Sequence, residues 1–151
     1  MLVFRIARKL YPALDGEGAR LNGGRWNSVG LPMVYTSATA SLAALELLVH
    51  VRHATAPVDL ELSTIEIPDE LLIHSVDVSA LGSGWYLPTG LSACRAEGDS
   101  WLASGKSPVL RVPAAPIHHE LNYLLNPRHT DAARISVRER DTFSFDSRLM
   151  K

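Results

Sequence analysis

Glu46 is the residue of this 151-residue chain whose setting most needs a reason. Between Leu42 and Val51 only Glu46 and His50 are polar. Four residues apart, the two share one face of a helix. A helix apolar nearly all round is expected to be buried, and a carboxylate there is costly unless partners satisfy it. Ionisable side chains in such settings are rarely idle. Two further segments accompany it. Gly23-Gly24-Arg25-Trp26-Asn27 puts an arginine in a glycine-rich loop, and Val34-Tyr35-Thr36-Ser37 puts a tyrosine on a strand. Taken singly, Arg25 reads as a loop salt-bridge residue and Tyr35 as strand packing. The standalone case belongs to Glu46.

Other chemistries fail on spacing. Gly16-Glu17-Gly18 opens a dinucleotide fingerprint, but Leu21 stands where its third glycine belongs. There is no P-loop. His50 and His53 could share a metal, yet no third ligand is evident, and the adjacent His118 and His119 point apart on extended chain. No metal is therefore expected. Cys94 has no partner and reads as a packed small residue in a reducing compartment. Trp26, Trp85 and Trp101 read as core. Asn122 and Asn126 read as turn caps.

The elements that must position these residues follow from periodicity. Leu2–Ile6 predicts a first strand, residues 10–30 a long glycine-rich loop, and Met33–Thr36 a strand. Thr39 or Ser41 caps a helix running to about His53. Val58–Ser63 alternates as a half-buried strand, and Ile65 and Ile67 continue it with the phase switched, which predicts a bulge. A helical turn is expected at Asp69–Ile73, a loop over 82–93, a short helix at Arg95–Leu102, and strands at Val109–Val112 and within Arg134–Phe145. Strands outnumber helices in an irregular order. That predicts one α+β domain over residues 1–151, with a mixed or antiparallel sheet and flanking helices. Lys and Arg total 15 against 16 Asp and Glu, so the chain lacks the basic footprint of a nucleic-acid binder. No segment reads as a signal peptide or membrane span, so a cytoplasmic protein is expected.

Read together, Gly23–Asn27, Val34–Ser37 and Ala44–Glu46 resemble the RES domain, the toxin half of bacterial RES–Xre toxin–antitoxin pairs. Phe4-Arg5, Gly16–Arg20, Gly98–Leu102, Leu110–Pro113, Asn122–Pro127 and Phe145–Leu149 resemble its remaining blocks, in order, over nearly the whole chain. The resemblance implies a fold related to mono-ADP-ribosyltransferases such as diphtheria toxin. It implies NAD⁺ as substrate and cleavage of its nicotinamide–ribose bond by phosphorolysis, hydrolysis or transfer of ADP-ribose to a protein. Inorganic phosphate is a possible co-substrate. The implied partner is an Xre-type helix-turn-helix antitoxin, which would supply any operator binding.

The resemblance also assigns roles. Glu46 stabilises an oxocarbenium-like sugar cation and holds a ribose hydroxyl. Tyr35 offers a face to nicotinamide, and the planar fork of Arg25 meets phosphate. Gly23 and Gly24 admit a close backbone approach, with Trp26 and Asn27 beside them either touching ligand or fixing the loop. Arg5 adds a second cationic contact. One position departs from the family. The serine expected after Val112-Pro113 is Ala114, and a methyl cannot hydrogen-bond phosphate or ribose. Attenuated NAD⁺ cleavage, protein mono-ADP-ribosylation and an inactive chain that only binds its antitoxin are the readings this leaves.

Overall fold

A computed structural model describes residues 1–51 and 58–150. Seven strands, β1 (Leu2–Arg8), β2 (Val34–Ser37), β3 (Leu60–Glu66), β4 (Ile73–Ser75), β5 (Val109–Pro113), β6 (Leu121–Leu125) and β7 (Ser136–Phe143), form one sheet in the order β4-β5-β6-β2-β1-β3-β7. Among the described residues, only β4 and β5 pair in parallel. Helices α1 (Glu17–Asn22), α2 (Ala40–Leu48) and α3 (Leu91–Ser104) flank it. The expected α+β class with a mixed sheet is what the chain adopts.

Register explains how the sheet serves a site. Across β5, β6 and β2, Val109 pairs with Leu125 and Leu125 with Val34; Leu110 pairs with Leu124 and Leu124 with Tyr35. Successive rows point to opposite faces. The first row joins Val3, Ile65, Ile67 and Tyr123 in one core. The second joins Val112 with Trp26, Met33, Trp85, Cys94 and Trp101 in another. The three tryptophans and Cys94 are thus core residues, as their types suggest. On that second face the row Val112–Asn122–Ser37 follows, so alternation alone places Tyr35, Ser37 and Asn122 on one surface.

Helix α3 clamps the glycine-rich loop onto this surface. Gly98 has no room for a side chain, because a Cβ would overlap the Trp26 carbonyl oxygen. One residue on, the Asp99 carboxylate accepts from the Ser28 N–H (2.9 Å) and hydroxyl (2.6 Å). One turn back, Arg95 Nε donates to the Gly24 carbonyl at 2.9 Å. Residues at i, i+3 and i+4 share a helix face, and here that face is the loop's support.

Several boundaries differ from the periodic reading. The 10–30 loop contains helix α1, followed at Gly23 by a left-handed φ of 69°. Helix α2 stops at Leu48 because the next N–H groups turn to tighter bonds, His50 to Leu47 and Val51 to Leu48; His53 lies outside the described residues. Nor is α2 buried all round. Leu42 and Ala43 are inside, while Leu45 and Val49 are exposed. β3 begins at Leu60, since Asp59 turns the chain with φ 57°. Asp69 and Glu70 form a turn ahead of β4, which takes Ile73, and α3 starts four residues early, after a tight 3₁₀ turn at Pro88–Gly90. The bulge expected in β3 lies instead on its partner β7, while β3 itself pairs with β1 in unbroken register. Thr64 pairs with Glu139 and Ile65 with Val137, which leaves Arg138 as the extra residue.

Gly98→Ala is expected to destabilise the protein by about 1–3 kcal/mol, as overpacking against backbone does. Gly18→Ala, where nothing lies within 4 Å, is expected to be neutral or stabilising by up to about 1 kcal/mol. Urea unfolding midpoints check both; equal midpoints would contradict the α3 clamp.

Candidate active site

A cleft of about 810 Å³ opens at the junction of β1 and β2, walled by α2, α3 and the glycine-rich loop. The two strands share a single registered pair, Phe4 with Ser37. Arg5, Gly24, Arg25, Tyr35, Glu46 and Arg95 all line it. The chain brings Arg25, Tyr35 and Glu46 to one cavity from a loop, a strand and a helix.

Glu46 is half-buried and is held from the sheet. Asn122 Nδ2 donates to its Oε1 at 2.5 Å, and the Ser37 hydroxyl donates to Asn122 Oδ1 at 2.8 Å. Thr39 caps α2 by accepting from the Leu42 N–H at 3.1 Å, so only Ala38 and Thr39 lie between β2 and the helix. That short connection brings Glu46 back over Ser37 and Asn122. Burial pushes the Glu46 carboxyl above its ordinary range; the Asn122 bond and the charges of His50 and Arg25 oppose it.

Tyr35 is fixed at its hydroxyl. The Trp26 N–H donates to it at 3.0 Å, and it donates to Asn27 Oδ1 at 2.8 Å. Burial pushes the phenol upward, so it stays a neutral donor. A side chain at Gly24 would collide with this hydroxyl and with Asn27 Oδ1; close approach is why the position is glycine. Asn27 itself is fully buried. Its Nδ2 serves the carbonyls of Ala19 and Leu31, both at 2.9 Å, and of Ser28 at 3.1 Å. Of the two residues read as touching ligand or fixing the loop, Trp26 lines the cleft and Asn27 ties the loop from behind.

The arginines are engaged differently. Arg25 spends its fork on backbone, Nη1 on Trp85 O (2.8 Å) and Nη2 on Tyr86 O (3.0 Å). Its charge still bears on Glu46. Arg5 on β1 is half-buried, and that burial lowers its pKa. Ala114 is fully buried, with its N–H on Glu120 O at 2.9 Å; Ala115 and Pro116 form the cleft wall beside it.

Three residues escaped the sequence reading. Asn122, read as a turn cap, sits in β6 and holds Glu46; Asn126 does cap a turn, through the Arg128 N–H at 3.0 Å. Ser37 and Arg95 complete the set. Only strand register could have found Asn122 and Ser37. Arg95 shares its helix face with Gly98 and Asp99, and that spacing was the available signal. Among the described residues, no three His, Cys, Asp or Glu stand close enough to hold a metal, and no helix is long and apolar enough to cross a membrane.

This loop, strand and helix arrangement has relatives. The RES domain family model matches residues 2–146, and the chain belongs to that family. It is 38% identical over 154 residues to Toxin Res of Photorhabdus laumondii, covering 100% of this chain and 98% of the relative. It is 36% identical over 141 residues to the Prs ADP-ribosylating toxin of a Sphingobium species, covering 91% and 87%. Its fold matches a chain in the crystal structure of the M. tuberculosis MbcT–MbcA toxin–antitoxin complex, with TM-score 0.77 at 22% identity over 95% of this chain and 84% of that one.

The raised carboxyl makes a signed prediction. Folding favours protonated Glu46, so its contribution is full below the unfolded pKa and is lost as pH rises through the higher folded pKa. Glu46→Gln, which can still accept from Asn122, is expected to be more stable than wild type at neutral pH. The advantage should shrink to nothing in acid. Urea unfolding across pH measures it; a less stable variant at neutral pH would contradict the assignment.

Proposed function

We propose that this chain is the toxin of a toxin–antitoxin pair, and that it takes NAD⁺ into the cleft and breaks the bond between nicotinamide and ribose. The observation that carries the reading is a half-buried carboxylate, Glu46, oriented by Asn122 on the wall of a cleft that also presents Tyr35 and three arginines. Folding does not ask for an ionised carboxylate there; chemistry on a sugar cation does. The names of the Photorhabdus and Sphingobium relatives support the same reading.

The bond between ribose C1′ and the pyridinium nitrogen breaks, and nicotinamide leaves neutral with the electron pair. Positive charge then spreads over C1′ and the ring oxygen. Ionised Glu46 stabilises that charge and accepts from a ribose hydroxyl. Tyr35, held rigid at its hydroxyl, presents its ring to nicotinamide. An oxygen of phosphate or water completes the reaction by bonding to C1′, and water in doing so gives up a proton to solvent. Ala114 supplies no hydroxyl at the family's serine position, so this chain runs slower than a serine-bearing relative. No direct nucleic-acid contact and no membrane are part of this reading. An Xre-type antitoxin is the partner, and the exposed apolar Val49 on the cleft wall, with exposed Leu45 one helical turn before it, supports a protein docking there.

The test is nicotinamide release from NAD⁺ by purified protein, with and without inorganic phosphate. Release that needs phosphate marks phosphorolysis, and release without it marks hydrolysis. Glu46→Gln is expected to lower the rate at least about a hundredfold. Ala114→Ser is expected to raise it, by up to about a hundredfold if the added hydrogen bond acts in the transition state. No release by either wild type or Ala114→Ser would overturn the reaction. Nicotinamide release that needs an added protein, with ADP-ribose bound to that protein and none set free, would move it to the ADP-ribose transfer that the name of the Sphingobium relative describes.

A further inference from the structure

We propose that His50 is the general base of the cleft, taking the proton of the water that attacks C1′, and that the reaction it serves is hydrolysis of NAD⁺. The inference rests on the reading that NAD⁺ enters this cleft.

Bond cleavage leaves a proton to place. Once nicotinamide has departed with its electron pair, an oxygen must bond to C1′. A phosphate dianion supplies that oxygen without losing a proton. Water cannot, because its bond to C1′ forms as one O–H bond breaks. A base positioned to take that proton commonly speeds such a step by about a hundredfold or more.

Among the described residues, the side chains that line the cleft leave one candidate. The guanidinium groups of Arg5, Arg25 and Arg95 have no lone pair to offer. The Tyr35 hydroxyl is held between the Trp26 N–H and Asn27, and burial keeps its proton on. Thr36 and Ser37 donate their hydroxyl protons to the Tyr123 carbonyl and to Asn122 Oδ1. Glu46 accepts from Asn122 and is engaged, ionised, against the sugar cation. His50 lines the same cleft, and its imidazole makes no hydrogen bond or ion pair among the described residues.

Its placement suits the task. The His50 N–H donates to the Leu47 carbonyl at 3.0 Å in the tight turn that ends α2. One turn beyond Glu46, the imidazole shares a face with the carboxyl. The charge of His50 acts on Glu46, and by the same coupling ionised Glu46 stabilises the imidazolium formed when the proton arrives. His50 is exposed, so that proton passes on to solvent. An imidazole ordinarily exchanges a proton near neutral pH, which lets the base reload between turnovers.

The test is steady-state formation of free ADP-ribose from NAD⁺ without phosphate. It compares His50→Ala and His50→Gln with their parent, wild type or Ala114→Ser. Glutamine keeps a hydrogen-bonding group but takes no proton. Both variants are expected to lose about a hundredfold in kcat, with KM and calorimetric affinity for ADP-ribose unchanged. Added imidazole is expected to restore kcat in His50→Ala, which a merely structural residue would not allow. A kcat like the parent's in either variant, a loss confined to KM, or a loss that imidazole does not restore would overturn the base. So would release by the parent that occurs only with phosphate, and the reading of the cleft would then stand without it. No nicotinamide release by wild type or Ala114→Ser, with or without phosphate, would sink that reading and the base with it.

Discussion

The hydrogen bond from Asn122 to Glu46 is the contact on which this site turns. It joins the middle of the sheet to a helix that packs only part of its surface. Without it, a carboxyl withdrawn from water would face an apolar helix surface with no neutral donor to hold it. The contact also has a direction. Ser37 orients the Asn122 amide by donating to its oxygen, which turns the NH₂ group toward Glu46. Ser37 and Asn122 are directly opposed across β2 and β6, so strand register sets the carboxylate's position, and the cap at Thr39 sets the helix that carries it.

The rest of the molecule reads as support for that placement. Two cores on opposite faces of the sheet stiffen β5, β6 and β2. Above the second core, α3 holds the glycine-rich loop at three points of one helix face. The loop in turn fixes the Tyr35 hydroxyl between the Trp26 N–H and Asn27. Gly24 and Gly98 are small because backbone and side chains pass too close for anything larger. Preorganisation of this kind lets a few polar groups act on charge without rearranging first. It also gives a structural part to Asn27 and Asp99, which lie outside the cleft lining and hold the loop that forms its wall.

Much of this was legible in the sequence, and the limits have physical causes. Glu46 was visible because a lone carboxylate on an apolar helix violates the binary pattern. Arg25 and Tyr35 gained meaning only through the family's spacing. The phase switch at Ile65 marked the place of the irregularity but not its strand, since the extra residue, Arg138, belongs to β7. Asn122 did not show, because an asparagine before an apolar run looks like a turn residue until its cross-strand partner is known. Nor did the fate of the Arg25 fork, which depends on carbonyls sixty residues away in sequence. The exposed side of α2 was misread for a related reason. Its apolar residues predict burial, but Leu45 and Val49 stand out at the surface, where a partner can cover them.

The chemistry of the cleft turns on the state of one carboxyl, that of Glu46. A carbon-13 NMR titration of the Glu46 side chain reads it directly. The predicted midpoint lies above the ordinary glutamate value of about 4.3, and moves higher still when Asn122 is replaced by leucine. A midpoint at or below that value in the wild-type protein would mean that Glu46 is an ordinary solvated surface residue, and would contradict its place at the centre of the site.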